Sequence, residues 1–198
     1  MAANLHVMYS ESFKGVGLVN GGGYANGDFM DNAGIFEYQR TATELGDLSF
    51  EYASNYSTAG EIDDIANLNG QPVMIFSGGK DFLVHSTLQE GQKDFYEQVG
   101  SNVTFINNED FGHVWPSDVE VPWYESFVIP TTCIGFEFPV GNCGTDGAGI
   151  ILDHLLPNIP GSTVEAGIER DMDWRSKGVV KKFDQREFID QEWWEYTG

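Results

Sequence analysis

The chain has 198 residues, 41% of them hydrophobic, which is enough for one domain with a real core and too apolar for a disordered tract. Lys+Arg number 10 against 31 Asp+Glu, and the net charge of −21 argues against binding nucleic acid or an anionic membrane surface, which want a basic patch; it also argues against an acidic substrate. No apolar run approaches the length of a membrane span.

The opening MAANLHVMYS has neither the basic nor the apolar segment of a signal peptide. Met1, Leu5 and Met8 fall at i, i+4 and i+7, so the spacing predicts an amphipathic helix packed on a sheet through that stripe and ending near Ser10–Phe13. Val16 to Val19 reads as a short buried strand running into Gly21-Gly22-Gly23, the strand-to-glycine-loop arrangement where α/β sheets place function. Residues 24–60 are loop-rich, with a helix expected around Ile35–Leu45 and a short helix or turn from Glu61. Val73 to Ser77, between Pro72 and Gly78, is expected to be a central parallel strand. The next helix is capped by Ser86, carries Leu88, Phe95 and Val99 on one face and stops at Gly100. Val103 to Ile106 is a further strand, completing a βαβ unit of a parallel sheet. From Val114 to Asn142 the chain is rich in Pro and aromatics without a period, as in a long surface excursion. GTDGAGIILDHLL predicts a helix with Ala148, Ile151, Leu152 and Leu155 on one face, ended by Pro157; the tail closes with FDQREF and EWWEYTG. No repeat and no linker divides residues 1–198, so a single α/β domain is expected.

Two residues stand out chemically. Asp81, in IFSGGKD, and His113, in FGHVWP, each lie on the loop following a predicted strand, in the crevice at the strands' carboxyl ends. Asp on one such loop and His on the next is how α/β hydrolases present two members of a triad whose chain order is Ser, Asp, His. In that chemistry the carboxylate orients the imidazole, and the imidazole moves the serine proton. The matching nucleophile elbow, G-x-S-x-G, is absent from these residues: no serine has Gly two positions before it, and Ser77, the nearest look-alike, has Ile75 there. His6 and His154 are expected to be packed or on the surface; His85 follows the Asp81 loop closely. Nothing points to a metal or a cofactor. Cys133 and Cys143 lack neighbours for a zinc site and are either a disulfide of an oxidising compartment or two buried thiols. Asn55 and Asn102 fit the glycosylation pattern of secreted chains.

LHVMYSESFKGVGLVNGGGY resembles the stretch that follows the nucleophile in extracellular polyhydroxybutyrate depolymerases and related secreted α/β-hydrolase esterases. In that family a Gly-x-Ser-x-Gly-Gly elbow runs into Met-Ala, a helix ending Leu-His-Val, a Gly-Val-Gly strand and a Gly-Gly pair. PVMIFSGGKDFLV is similar to the segment carrying the family's catalytic aspartate, here Asp81. FGHVWPSD is similar to the segment carrying its catalytic histidine, here His113. NCGTDGAGIILDHLL and FDQREF resemble two later family segments. The departures are an elbow that would fall before Met1, and Gly22-Gly23-Tyr24-Ala25-Asn26 where the family has Gly-Gly-Pro-Tyr-Tyr-Cys.

The resemblance implies the C-terminal part of an α/β-hydrolase domain, a secreted serine esterase acting on an ester or polyester, with Tyr24 and Trp115 as apolar substrate contacts. It favours a disulfide between Cys133 and Cys143 and an extracellular setting, without nucleic acid, membrane or cofactor. The expectation for these 198 residues alone is that Met1 is an internal methionine, that an unpaired sheet edge makes the chain poorly soluble, and that it hydrolyses no ester. The alternative is a non-catalytic binding protein of hydrolase descent, which would need neither Asp81 nor His113.

Overall fold

The computed structural model describes residues 2–26, 40–108, 110–118, 133 and 140–156. Its centre is a parallel sheet of three strands, β1 (Val16–Val19), β2 (Pro72–Gly78) and β3 (Asn102–Asn108), in the order β1-β2-β3. Val16 pairs with Val73, and Val73 with Val103, so the three strands are in step. The alternation of side chains then sorts the sheet into two faces. Val16, Leu18, Val73 and Ile75, joined by Val103 and Phe105, form one core layer; Met74 and Phe76, joined by Val19 and Ile106, form the other. Both faces are covered, and β2 accordingly reads as the uninterrupted apolar run of a central strand.

Three helices cover the first face: α1 (Ala2–Met8), α2 (Ala42–Ala59) and α3 (Ser86–Gln98). α4 (Gly147–Leu155) covers the second, with Ile151 buried against Met74 and Phe76. α3 follows the expected face, burying Leu88 and Phe95 with Val99 packed alongside, but its cap is His85 rather than Ser86: the His85 Nδ1 accepts from the Thr87 N–H. α2 is the main departure. It runs on to Ala59, well past the helix expected at Ile35–Leu45, whose first residues lie outside the described ones. Its boundaries are chemical rather than hydropathic. Thr41 and Glu44 form a reciprocal capping box, and Gly60 closes the helix at φ 73°. α2 and α3 cross at a pair of glycines: a Cβ on Gly91 would stand 2.7 Å from the Leu45 Cβ and 3.0 Å from the Ala42 carbonyl oxygen.

α1 is a helix where expected, but its buried face is a different one. Ala3, His6 and Val7 are buried; Leu5 is 43% exposed, Met8 is half-buried and Met1 lies outside the described residues. The reason is a polar anchor. The Gln71 amide group donates to the Ser10 and Asn67 carbonyls, so its Oε1 accepts, and the His6 Nε2–H donates to it at 2.9 Å. His6 Nδ1 therefore accepts from the buried Tyr96 hydroxyl at 3.0 Å. Burial holds the His6 imidazolium below the ordinary histidine range and pushes the Tyr96 phenol up.

That network carries a pH prediction. Unfolded His6 takes up a proton as pH falls through about 6.5, whereas the folded one resists it, so acid favours the unfolded state. The urea midpoint is expected to fall between about pH 7.5 and 5.5. It should fall less in His6→Gln, which keeps a donor for Gln71 and an acceptor for Tyr96. Equal slopes in the two proteins would contradict this account of α1.

In α4 the buried face is Gly147 and Ile151 with Ile150 and Leu155 alongside, while Ala148 and Leu152 face outward. Within the stretch expected to be a surface excursion, β4 (Trp115–Ser117) and β5 (Val140–Asn142) pair as a short parallel ladder, and Cys133 and Cys143 form a disulfide. The described residues all lie in one unit, Met1–Val164; FDQREF and EWWEYTG lie outside them.

Candidate active site

β2 ends at Gly78, and the chain turns so that the Asp81 N–H donates back to the Gly78 carbonyl at 3.0 Å. The turn sends the Asp81 carboxylate inward, where its side chain is fully buried. Oδ1 accepts from the Leu83 and Val84 N–H groups, each at 2.9 Å, and Oδ2 lies 2.9 Å from His113 Nδ1. A carboxylate held by two backbone donors has one oxygen left to aim, and it aims at the imidazole.

His113 arrives from the loop after β3. Phe111, two residues earlier, is buried against Phe76. The histidine loop lies directly on the end of β2: a Cβ on Gly78 would be 2.5 Å from the Phe111 carbonyl oxygen and 2.7 Å from that of Gly112. Only glycine allows this approach, and it brings the two loops close enough for the Asp81–His113 contact. Lys80 N–H donates to the Phe111 carbonyl at 3.1 Å, a second tie between the same segments.

The arrangement has a definite chemical sense. An ionised carboxylate only accepts, so neutral His113 carries its proton on Nδ1 and presents Nε2 as the basic nitrogen. The imidazole side chain is 36% exposed above a buried anion. Such a pair has the geometry for an oriented general base with a stabiliser for its charged form.

The other sequence candidates separate. Trp115, two residues after His113, is 39% exposed and stays available as an apolar contact. Tyr24 does not: it is 4% exposed, belongs to the core with α3, and its ring stacks on Phe95. Ser77 is fully buried inside β2, which removes the one serine that resembled an elbow. His85 caps α3, and His154 meets Thr104 and the Asn102 carbonyl on the far side of β3 from the pair's loop. A residue outside the sequence candidates, Asn20, directly follows β1 and bonds both the Gly78 N–H and the histidine loop. Its signal in the sequence is an Asn at the strand's end, before three glycines.

No family model matches the chain. A poly(3-hydroxybutyrate) depolymerase of Delftia acidovorans is 27% identical over 194 residues, covering 96% of this chain and 36% of that protein. A solved PHB depolymerase complexed with an R3HB trimer superposes at TM-score 0.67 with 22% identity, over 80% of this chain and 48% of that one. The chain has a PHB depolymerase-like fold. The PHB depolymerase from Penicillium funiculosum gives the same result, with TM-score 0.64, 20% identity and the same coverages. The described sheet and its helices are thus part of an α/β-hydrolase fold, and the chain spans about half the length of the solved PHB depolymerases it matches.

Proposed function

We propose that this chain is the acid- and base-bearing part of a secreted serine esterase that cleaves polyesters of the poly(3-hydroxybutyrate) type. The observation that carries the proposal is the 2.9 Å contact between buried Asp81 Oδ2 and His113 Nδ1 at the carboxyl end of the sheet. The likeness to depolymerases supports the substrate class, and the Cys133–Cys143 disulfide supports an oxidising, extracellular setting.

The serine would come from outside these 198 residues, since none here has the elbow pattern. His113 Nε2 takes the proton of that serine as its oxygen bonds to the ester carbonyl carbon. The tetrahedral intermediate collapses when the ester C–O bond breaks and the imidazolium returns the proton to the departing alcohol. A water molecule then gives its proton to Nε2 and opens the acyl-enzyme, releasing the acid and restoring the serine. Throughout, Asp81 stays ionised, holds the Nδ1–H tautomer and stabilises the imidazolium. Trp115 offers apolar surface to the substrate beside the base.

The test compares two proteins. The 198-residue chain alone is expected not to hydrolyse a short p-nitrophenyl ester. A chain extended in frame through an upstream Gly-x-Ser-x-Gly segment is expected to hydrolyse it and to lose that activity with His113→Ala. Hydrolysis by the short chain that disappears in its His113→Ala variant would contradict the division of the triad, and an extended chain that binds polyester without cleaving it would favour a binding protein instead.

A further inference from the structure

We infer that Asn20 is a positioning residue that holds Asp81 and His113 in register; the inference rests on the proposed acid–base pair. Asn20 sits just past β1, on neither loop of the pair, and is 5% exposed. Its Nδ2 donates to the Gly112 carbonyl at 2.9 Å and to the Val114 carbonyl at 3.0 Å, the two peptide oxygens flanking His113. Its Oδ1 accepts from the Gly78 N–H at 2.9 Å, at the start of the turn that carries Asp81. The amide orientation is dictated by its partners, because two carbonyls can only accept and an N–H can only donate. One buried carboxamide thus spans both loops and bonds three backbone groups, one of which, the Gly112 carbonyl, also accepts from the Val114 N–H.

The backbone is set for this role. Asn20 adopts φ 48°, in the left-handed region, where Asn is among the few side chains tolerated. Its own N–H still donates to the Phe76 carbonyl at 3.0 Å, which keeps it in step with β2. Glycine would accept the conformation and offer no clamp; larger residues would resist the conformation. The opposite side of the histidine loop is held as well, by the Gly112 N–H donating to the Cys133 carbonyl at 2.8 Å. Gly112 is therefore gripped at both its polar groups, and Asn20 is the side chain that connects this grip to the acid's turn.

The test reads the tautomer of His113 from the ring ¹⁵N shifts of the 198-residue chain at about pH 8, above the ordinary histidine range. A free neutral histidine favours the Nε2–H form; Asp81 imposes Nδ1–H. His6, locked as Nε2–H with Nδ1 bonded to Tyr96, reports in the same spectrum whether the fold persists. Wild type is expected to show His113 as Nδ1–H, and Asp81→Asn to abolish that form. Asn20→Gly is expected to return His113 to the free mixture while His6 is unchanged. Asn20→Asp provides a second variant of the same shape that keeps an oxygen for Gly78 and places the other against the two carbonyls; it is expected to act likewise. An Nδ1–H His113 in both Asn20 variants would overturn the inference and leave the pair standing. A wild-type His113 in the free mixture, with His6 intact, would overturn the pair and the inference together.

Discussion

Asp81→Asn is expected to lower kcat/KM of the nucleophile-bearing chain by about 10⁴-fold, the scale of losing the correct histidine tautomer in a Ser–His–Asp site. The argument is geometric. Asn is the same shape, and its oxygen would stay with the Leu83 and Val84 N–H groups, because those can only donate. The amide nitrogen would then face His113 Nδ1 at the position of Oδ2. It can only donate, so Nδ1 must accept and the ring proton moves to Nε2. The nitrogen that should take the serine proton is then already protonated. The fold should survive, since the two backbone bonds are kept and a buried charge is removed. The measurement is kcat/KM on a soluble ester with the urea midpoint as a control. Activity within tenfold of wild type at unchanged stability would remove Asp81 from the mechanism.

Phe76→Ala is expected to destabilise the chain by about 3–5 kcal/mol, a large share of the roughly 5–15 kcal/mol typical of a domain. Phe76 is fully buried in the central strand, in the layer that holds Met74, Phe111, Val114 and Ile151. Its loss would open a cavity under Phe111, two residues before the proposed base His113, so the histidine loop should loosen along with the core. Leu152→Ala is the contrast: that side chain is 53% exposed and the change should cost less than about 1 kcal/mol. Urea unfolding of the two variants at neutral pH compares them directly. Equal destabilisation would mean that the layer between β2 and α4 is not packed as described.

The two residues of the pair are legible in the sequence because the signals that mark them are local. A buried strand has a strong apolar run, its end has a glycine or a turn, and the polar residue just beyond lies where α/β sheets bind ligands. Both loops meet those conditions, and the intervening α3 implies that their strands are parallel. The helix α2 lies away from its expected place for the opposite reason. Its sequence, ATELGDLSFEYASNYSTA, has a weak apolar stripe, and its identity rests on the Thr41–Glu44 cap and on Gly60. Those signals are also local, but they are hydrogen-bonding and backbone signals that leave no mark on hydropathy.

Other features have no hydropathic signature at all. α1 carries a plausible apolar stripe in Met1, Leu5 and Met8, and it buries His6 instead, because a histidine with two satisfied nitrogens can be taken out of water without its usual penalty. Tyr24 follows a glycine loop, like a substrate contact, yet stacks in the core on Phe95. In each case partners distant in the chain decide the outcome: Gln71 and Tyr96 for His6, α3 for Tyr24.

By itself the sequence determined the parallel βαβ core, the candidate acid and base, and a strongly acidic net charge, because these depend on short-range pattern and composition. Only the tertiary structure decided which face of α1 is buried, that Asp81 and His113 meet at 2.9 Å, and that Asn20 ties their loops together. Those are hydrogen bonds between residues tens of positions apart. Their geometry exists only once close packing, such as the backbone contact at Gly78, has brought the strand ends together.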